Sequence, residues 1–197
     1  MDIILASQSP RRIELIDEAG FTCRVIPADI DETPHEGEQP LDLVGRLAKD
    51  KALCVASEHA HAGEIVVAAD TIVTIDGVIL GKPADAQDAK RMLRLLSGRT
   101  HQVATGVCVA RANAAGDTAE PVLQNFVEVT DVTFYALDED TIEEYAQSGE
   151  PLDKAGAYGI QGKGGRMLVE KIDGDFYNVV GLPIARVART IRDMQQD

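Results

Sequence analysis

The chain has 197 residues, 45% of them hydrophobic and 26% charged, an ordinary balance for a globular protein. At this length a folded chain buries roughly 70% of its unfolded surface, enough for a sizeable core. Acids outnumber bases 33 to 19, and the formal charge of −14 argues against a nucleic acid polymer or an anionic membrane as the main partner.

In chain order, a short apolar strand is expected over 3–6, running straight into a helix over 10–19. Ser9 suits the N-cap, Pro10 the first helical position and Gly20 the stop. Arg11 and Arg12 fall in the first turn, where the helix dipole is already positive and disfavours cations. Taken alone, an Arg pair reads equally well as a solvated face. At a strand-to-helix junction, beside Ser7, Ser9 and free N–H groups, it points to an anion site, most naturally for phosphates. A second strand is expected over 22–26, then an acidic, Pro-bearing loop over 29–39. A long helix follows from Pro40 to about residue 61, with Leu41, Val44, Leu47, Ala48 and Val55 at helical spacing.

The clearest strand covers 65–75. Asp76-Gly77 after it is a strong hairpin signal, which would pair Ile75 with Val78, Val73 with Leu80 and Thr71 with Lys82. A third helix is expected over 86–96, with Asp85 as N-cap and Gly98 as stop. Strands over 101–111 and 124–135 read as a hairpin joined by a small-residue loop, 112–121. A helix over 139–147, a segment with six glycines over 149–165, a strand over 166–172 and a helix over 182–194 complete the pattern. No linker, repeat or 18-residue apolar run interrupts it, so neither a second domain nor a transmembrane helix is expected. Cys23, Cys54 and Cys108 are widely spaced and read as reduced thiols of a cytoplasmic protein.

Asp70 lies inside an apolar strand, where a carboxylate is costly unless paired, metal-bound or titrated. Two readings stand: an Asp facing solvent from a half-covered strand, or a general base or metal ligand with Lys82 near it. The glycine segment lacks the dinucleotide GxGxxG spacing, and no Walker A sequence occurs. It is either a surface loop or backbone lying close to a ligand, with Gln161 and Lys163 as side-chain contacts. The four histidines show no ligand spacing beyond His59-Ala-His61 at a helix end, and no Ser/His/Asp or Cys/His nucleophile pattern occurs.

These elements together resemble the Maf family of nucleoside triphosphate pyrophosphatases. The matching stretches are Leu5-Ala-Ser-Gln-Ser-Pro-Arg-Arg12, Asp31-Glu-Thr33, Arg46-Leu-Ala-Lys-Asp-Lys-Ala52, Ala69-Asp-Thr71, Gly81-Lys-Pro83, Leu96-Ser-Gly98, Gly149-Glu-Pro-Leu-Asp-Lys-Ala-Gly-Ala-Tyr-Gly-Ile-Gln-Gly162 and Val180-Gly-Leu-Pro183. They run in order along almost the whole chain. The resemblance implies a single domain over 1–197 with an α/β fold: two lobes on a long bent mixed β-sheet flanked by helices, similar to inosine triphosphate pyrophosphatases, with a central cleft. It also implies hydrolysis of a nucleoside triphosphate to the monophosphate and pyrophosphate with Mg²⁺ or Mn²⁺, in the cytoplasm, and suggests a homodimer.

One branch of the family acts on dTTP and UTP, another on N7-methyl-GTP; Pro10-Arg11-Arg12, Ala69-Asp70-Thr71 and Gln161 resemble the first. By the same resemblance, Ser7, Arg11, Arg12, Lys51 and Lys82 would bind the phosphates. Asp70 would accept the proton from water, Glu32 and Asp70 would hold the metal, and Arg12, Thr71 and Gln161 would set base choice. The alternative is a nucleotide-binding regulator of septum formation and cell division without significant turnover.

Overall fold

The computed structural model describes residues 2–113 and 121–196. Most of the expected 112–121 loop therefore lies outside the described residues. The elements are β1 (Asp2–Leu5), α1 (Pro10–Glu18), β2 (Thr22–Val25), α2 (Pro40–His59), β3 (Ile65–Ile75), β4 (Val78–Leu80), α3 (Ala86–Leu96), β5 (Thr100–Arg111), β6 (Val122–Phe134), α4 (Glu139–Gln147), β7 (Val169–Asp173), α5 (Phe176–Val180) and α6 (Ile184–Gln196).

The seven strands make one sheet in the order β2-β1-β3-β5-β6-β7, with β4 paired to β3 off that path. The sheet is mixed. β1 runs parallel to both β2 and β3, whereas β3/β4 and β6/β7 are antiparallel. A parallel neighbour needs a crossover, and α1 and α2 supply the two that flank β1. No helix among the described residues is long and apolar enough to cross a membrane.

The chain folds into two compact units, and it passes from one to the other inside β3, β5 and β6. The first unit comprises Met1–Asp70, Thr105–Glu128 and Gly181–Asp197. In its core, Ala48, Ala52, Val55 and Ala56 of α2 pack on Ile4, Val66, Ala68, Cys108 and Ala110. The small alanines let helix and sheet approach closely. At Gly106 a Cβ would stand 2.1 Å from the Val44 carbonyl oxygen, so only glycine fits there.

The second unit comprises Thr71–Ala104 and Val129–Val180. Its core joins Met92, Leu93 and Leu96 of α3 and Ile142 and Tyr145 of α4 to Val73, Ile75, Val103, Val132 and Phe134 of the strands. With no tryptophan available, one aromatic group anchors it: His101, Phe134 and Tyr158 meet edge to face, with centroids 4.8 to 5.4 Å apart.

Much of the local structure follows sequence chemistry. The hairpin pairs Ile75 with Val78 and Val73 with Leu80, and its two turn residues, Asp76 and Gly77, have φ of 53° and 76°. Asp85 caps α3 by accepting from the Asp88 N–H at 2.8 Å, and Asp138 caps α4 by accepting from the Thr141 N–H.

Several expectations fail for identifiable reasons. The hairpin ladder stops at Leu80, short of the expected Thr71–Lys82 pair; beyond it the Gly81 carbonyl accepts from the Gly156 N–H at 3.0 Å. Ser9 occupies the N-cap position of α1 without a side-chain capping bond. The expected 166–172 strand begins in a 3₁₀ turn, Gly165–Met167, and pairs only from Val169. Helix α5 has no counterpart among the expected elements; Asp175 starts it by accepting from the Tyr177 N–H at 2.7 Å.

Candidate active site

The first unit gathers Ser7, Arg11, Arg12, Glu32, Lys51 and Asp70. β1 ends at Leu5, and the turn that follows carries Ser7 into α1. Ser7 is buried, and its Oγ accepts from the Ser9 N–H at 3.3 Å and from Arg12 Nη1 at 3.1 Å. Arg12 Nη1 also donates to the Ala69 carbonyl at 2.8 Å, and its Nε to the Gly181 carbonyl at 2.9 Å. The guanidinium thus ties the β1–α1 turn to β3 and to the segment before α6. A planar fork with donors on several edges suits this role; a lysine could not reproduce it. Burial pulls the Arg12 pKa below its usual value, a trend that the charge of Asp70 opposes and that of neighbouring Arg11 reinforces. Arg11 is half-buried and forms no ion pair among the described residues.

Asp70 lies next to the fully buried Ala68 and Ala69 on β3, with its side chain only 17% exposed. Its Oδ1 accepts from Lys51 Nζ at 2.7 Å. Lys51 comes from the middle of α2, and the same ammonium lies 2.8 Å from Glu32 Oε1. The structure therefore places Lys51 between two carboxylates, where the sequence suggested only a phosphate contact. The physical reason is burial: an ammonium 11% exposed must find counter-charges, and the two carboxylates are within reach.

Glu32 sits in the acidic loop, and Arg46 of α2 fixes that loop. Arg46 bridges Glu38 through Nε (2.6 Å) and Nη2 (2.9 Å) and also donates to the Thr33 carbonyl at 3.2 Å. These bonds hold the Glu38 carboxyl well below the usual carboxylate range. Asp31 accepts from the Thr33 N–H at 2.9 Å, which closes the turn around Glu32. One positioning residue, Arg46, lies in a stretch matched to the family, yet its partners 8 and 13 residues away were not legible from spacing.

Among the described residues no group of three or more His, Cys, Asp or Glu side chains could hold a metal ion. Two carboxylates that converge on one cation do fit a hard divalent ion that also takes phosphate oxygens, the usual mode for Mg²⁺.

The second unit holds Thr71, Lys82 and Gln161. Thr71 is half-buried, directly after Asp70 on β3. Lys82 is exposed just beyond β4 and makes no ion pair among the described residues. Gln161 is exposed at a turn of the glycine-rich segment, and its main-chain carbonyl accepts from Arg166 Nη2 at 3.1 Å. Two residues that the sequence did not single out, Tyr145 and Glu150, enclose that segment. A glutamate at the head of a six-glycine run was the available signal.

Residues 2–194 match the family described as "Maf-like protein". The chain is 47% identical over 195 residues to the dTTP/UTP pyrophosphatase of Bacillus mycoides (strain KBAB4), covering 99% of this chain and 96% of that one. It is 50% identical over 191 residues to the dTTP/UTP pyrophosphatase of Anaeromyxobacter dehalogenans (strain 2CP-C), covering 96% and 92%. Among solved structures, the Staphylococcus aureus Ham1 protein matches 68% of this chain and 72% of its own, with a TM-score of 0.44 and 13% identity, too distant to bear on the site. With a family match over nearly every residue and relatives close to half identical along the full length, the chain belongs to the Maf family.

Proposed function

We propose that this protein hydrolyses nucleoside triphosphates, dTTP and UTP by preference, to the monophosphate and pyrophosphate. The relatives that share about half its residues are named for that reaction. The observation that carries the reading is the Lys51 ammonium between Asp70 and Glu32 beside the pinned Arg12. A protein that only bound a polyanion would gain nothing from two carboxylates among its cations, since they repel the ligand.

In this reading Ser7, Arg11 and Arg12 hold the phosphates, and Lys51 and Lys82 add positive charge. Asp70 takes a proton from water as the water oxygen bonds to the α-phosphorus. The bond from that phosphorus to the bridging oxygen breaks, and pyrophosphate leaves with the electron pair. The arginines stabilise the charge that develops on the leaving oxygens. Lys51 keeps the two carboxylates aligned before substrate arrives. A divalent cation, Mg²⁺ or Mn²⁺, held by Asp70 and Glu32 together with the phosphates, would supply charge neutralisation. Thr71 and Gln161, with Arg12, set base choice: an amide can accept from N3–H and donate to O4 of thymine or uracil.

We place the reaction in the cytoplasm, where the three unpaired thiols Cys23, Cys54 and Cys108 stay reduced. The family resemblance suggests a homodimer, and the formal charge of −14 argues against a nucleic acid polymer or an anionic membrane as the main partner.

The test is product release from a panel of nucleoside triphosphates with Mg²⁺, for the wild type and Asp70→Asn. Pyrophosphate from dTTP and UTP, lost in the variant, is the expected result. Nucleotide binding without turnover in the wild type would favour a regulator of cell division instead.

A further inference from the structure

The glycine-rich segment is closed around a carboxylate that the proposed chemistry does not use. Glu150 Oε1 accepts from the Tyr145 hydroxyl at 3.0 Å and from the Gly165 N–H at 3.2 Å; Oε2 accepts from the Gly164 N–H at 3.3 Å. The Tyr145 oxygen in turn accepts from the Gly159 N–H at 3.3 Å. Glu150 is half-buried, and no lysine, arginine or histidine pairs with its carboxylate among the described residues. A charge taken out of water and met only by hydroxyl and backbone donors is organised by the loop that wraps it.

The glycines are there because the wrap is tight. A Cβ at Gly162 would fall 1.6 Å from Glu150 Oε1, one at Gly164 2.5 Å from the Tyr145 ring, and one at Gly165 2.2 Å from the Gly159 carbonyl oxygen. The opposite side of the loop is fixed as well. Gly162 donates to the Gly159 carbonyl at 2.9 Å, and Arg166 donates to the carbonyls of Gly162 (2.9 Å) and Gln161 (3.1 Å). Gln161 thus has its main chain held on both sides. Its side chain is exposed and makes no hydrogen bond among the described residues. A fixed backbone that carries an unengaged amide has its main-chain ordering complete before a ligand arrives, so only the Gln161 side-chain rotamers remain to be ordered on binding.

We propose that Glu150, latched by Tyr145, is a positioning residue that holds the 159–166 loop and so presents the Gln161 amide to the base of the substrate. This deepens, and rests on, the reading of Gln161 as a determinant of base choice.

The test compares Glu150→Gln, Tyr145→Phe, Gln161→Ala and the Glu150→Gln/Gln161→Ala double variant, in kcat and KM for dTTP, UTP and dATP. In Glu150→Gln an NH₂ faces a glycine N–H and one acceptor is lost; Tyr145→Phe removes the hydroxyl without changing the ring. Both should raise KM for dTTP and UTP about tenfold with kcat changed no more than about threefold, and leave KM for dATP in place. The double variant should be no worse than Gln161→Ala. Equal losses on all three substrates, or additive losses in the double variant, overturn the proposal.

Amide hydrogen exchange separates this latch from the base reading. Glu150→Gln should accelerate exchange at Gly164 and Gly165 at an unchanged Tm, and unchanged exchange overturns the latch whatever the kinetics. If Gln161→Ala leaves the pyrimidine preference intact while exchange accelerates, the base reading fails and the latch stands.

Discussion

Lys51 Nζ lies 2.7 Å from Asp70 Oδ1, which joins the middle of helix α2 to the middle of strand β3. The same nitrogen contacts Glu32, so one ammonium balances two carboxylates that came from a loop and a strand. The contact gives the carboxylate on β3 a charge partner and makes it part of a charged cluster rather than a lone polar residue.

Removing Lys51 should therefore damage turnover more than binding. Lys51→Met removes the ammonium that bridges Asp70 and Glu32, and kcat on dTTP should fall at least about 100-fold. Steady-state kinetics of pyrophosphate release measure it; a loss confined to KM would show that Lys51 serves only as a phosphate contact.

Glu32 is the more exposed partner, with a side chain 59% accessible. Its neutral variant, Glu32→Gln, keeps the size and removes the charge. The Mg²⁺ concentration for half-maximal rate should rise about tenfold, with the rate largely recovered at saturating metal. Titration with Mg²⁺ after EDTA treatment reads this out, and EDTA alone should silence the wild type.

Arg12→Lys tests geometry against charge. The charge survives, but the carbonyls of Ala69 and Gly181 lose donors that a single ammonium cannot replace. The variant should lose about 1–3 kcal/mol of stability for the abandoned acceptors and about tenfold or more in kcat/KM. Urea denaturation and triphosphate kinetics on the same preparation separate the two effects.

His101 should make stability pH-dependent. Its Nε2 lies 2.8 Å from the Tyr158 hydroxyl in a buried aromatic group, and burial pushes its pKa down from 6.5 to about 4. The unfolded chain therefore binds a proton at higher pH than the folded one does. Stability falls as pH drops from 6.5 toward 4 and levels off below, a change on the order of 3 kcal/mol from this residue. Urea midpoints across that window should show the slope in the wild type and a flatter one in His101→Gln.

Gly106→Ala probes the seam between β5 and α2. The added methyl would meet the Val44 carbonyl oxygen at 2.1 Å and the Gly45 nitrogen at 2.9 Å, both backbone atoms that cannot rotate away. The cost should be at least about 2 kcal/mol, seen as a lower urea midpoint.

The sequence by itself determined what depends on neighbours along the chain. Apolar runs placed β1 and β3, helical spacing placed α2, the Asp85 cap and Gly98 stop placed α3, and Asp76-Gly77 set the hairpin register, because side-chain periodicity, capping and turn conformation are local properties. The types of residue in the candidate site were equally legible, since an aspartate in an apolar strand and arginines in a helix's first turn break local rules.

Only the tertiary structure decided which groups meet. Lys51 and Asp70 are 19 positions apart, Arg12 and Gly181 are 169, and Asn178 Nδ2 reaches the Val103 carbonyl across 75. No local pattern encodes such pairs. They follow from burial, which takes an ion or a carbonyl out of water and makes the nearest opposite group its partner, wherever along the chain that group lies. The Thr71–Lys82 pair failed for the converse reason: extending a register assumes the strand continues, and β4 ends at Leu80 before Pro83. The wrap of glycines around Glu150 was hidden in the same way, because a glycine's spacing says that backbone freedom is available and only packing says what uses it.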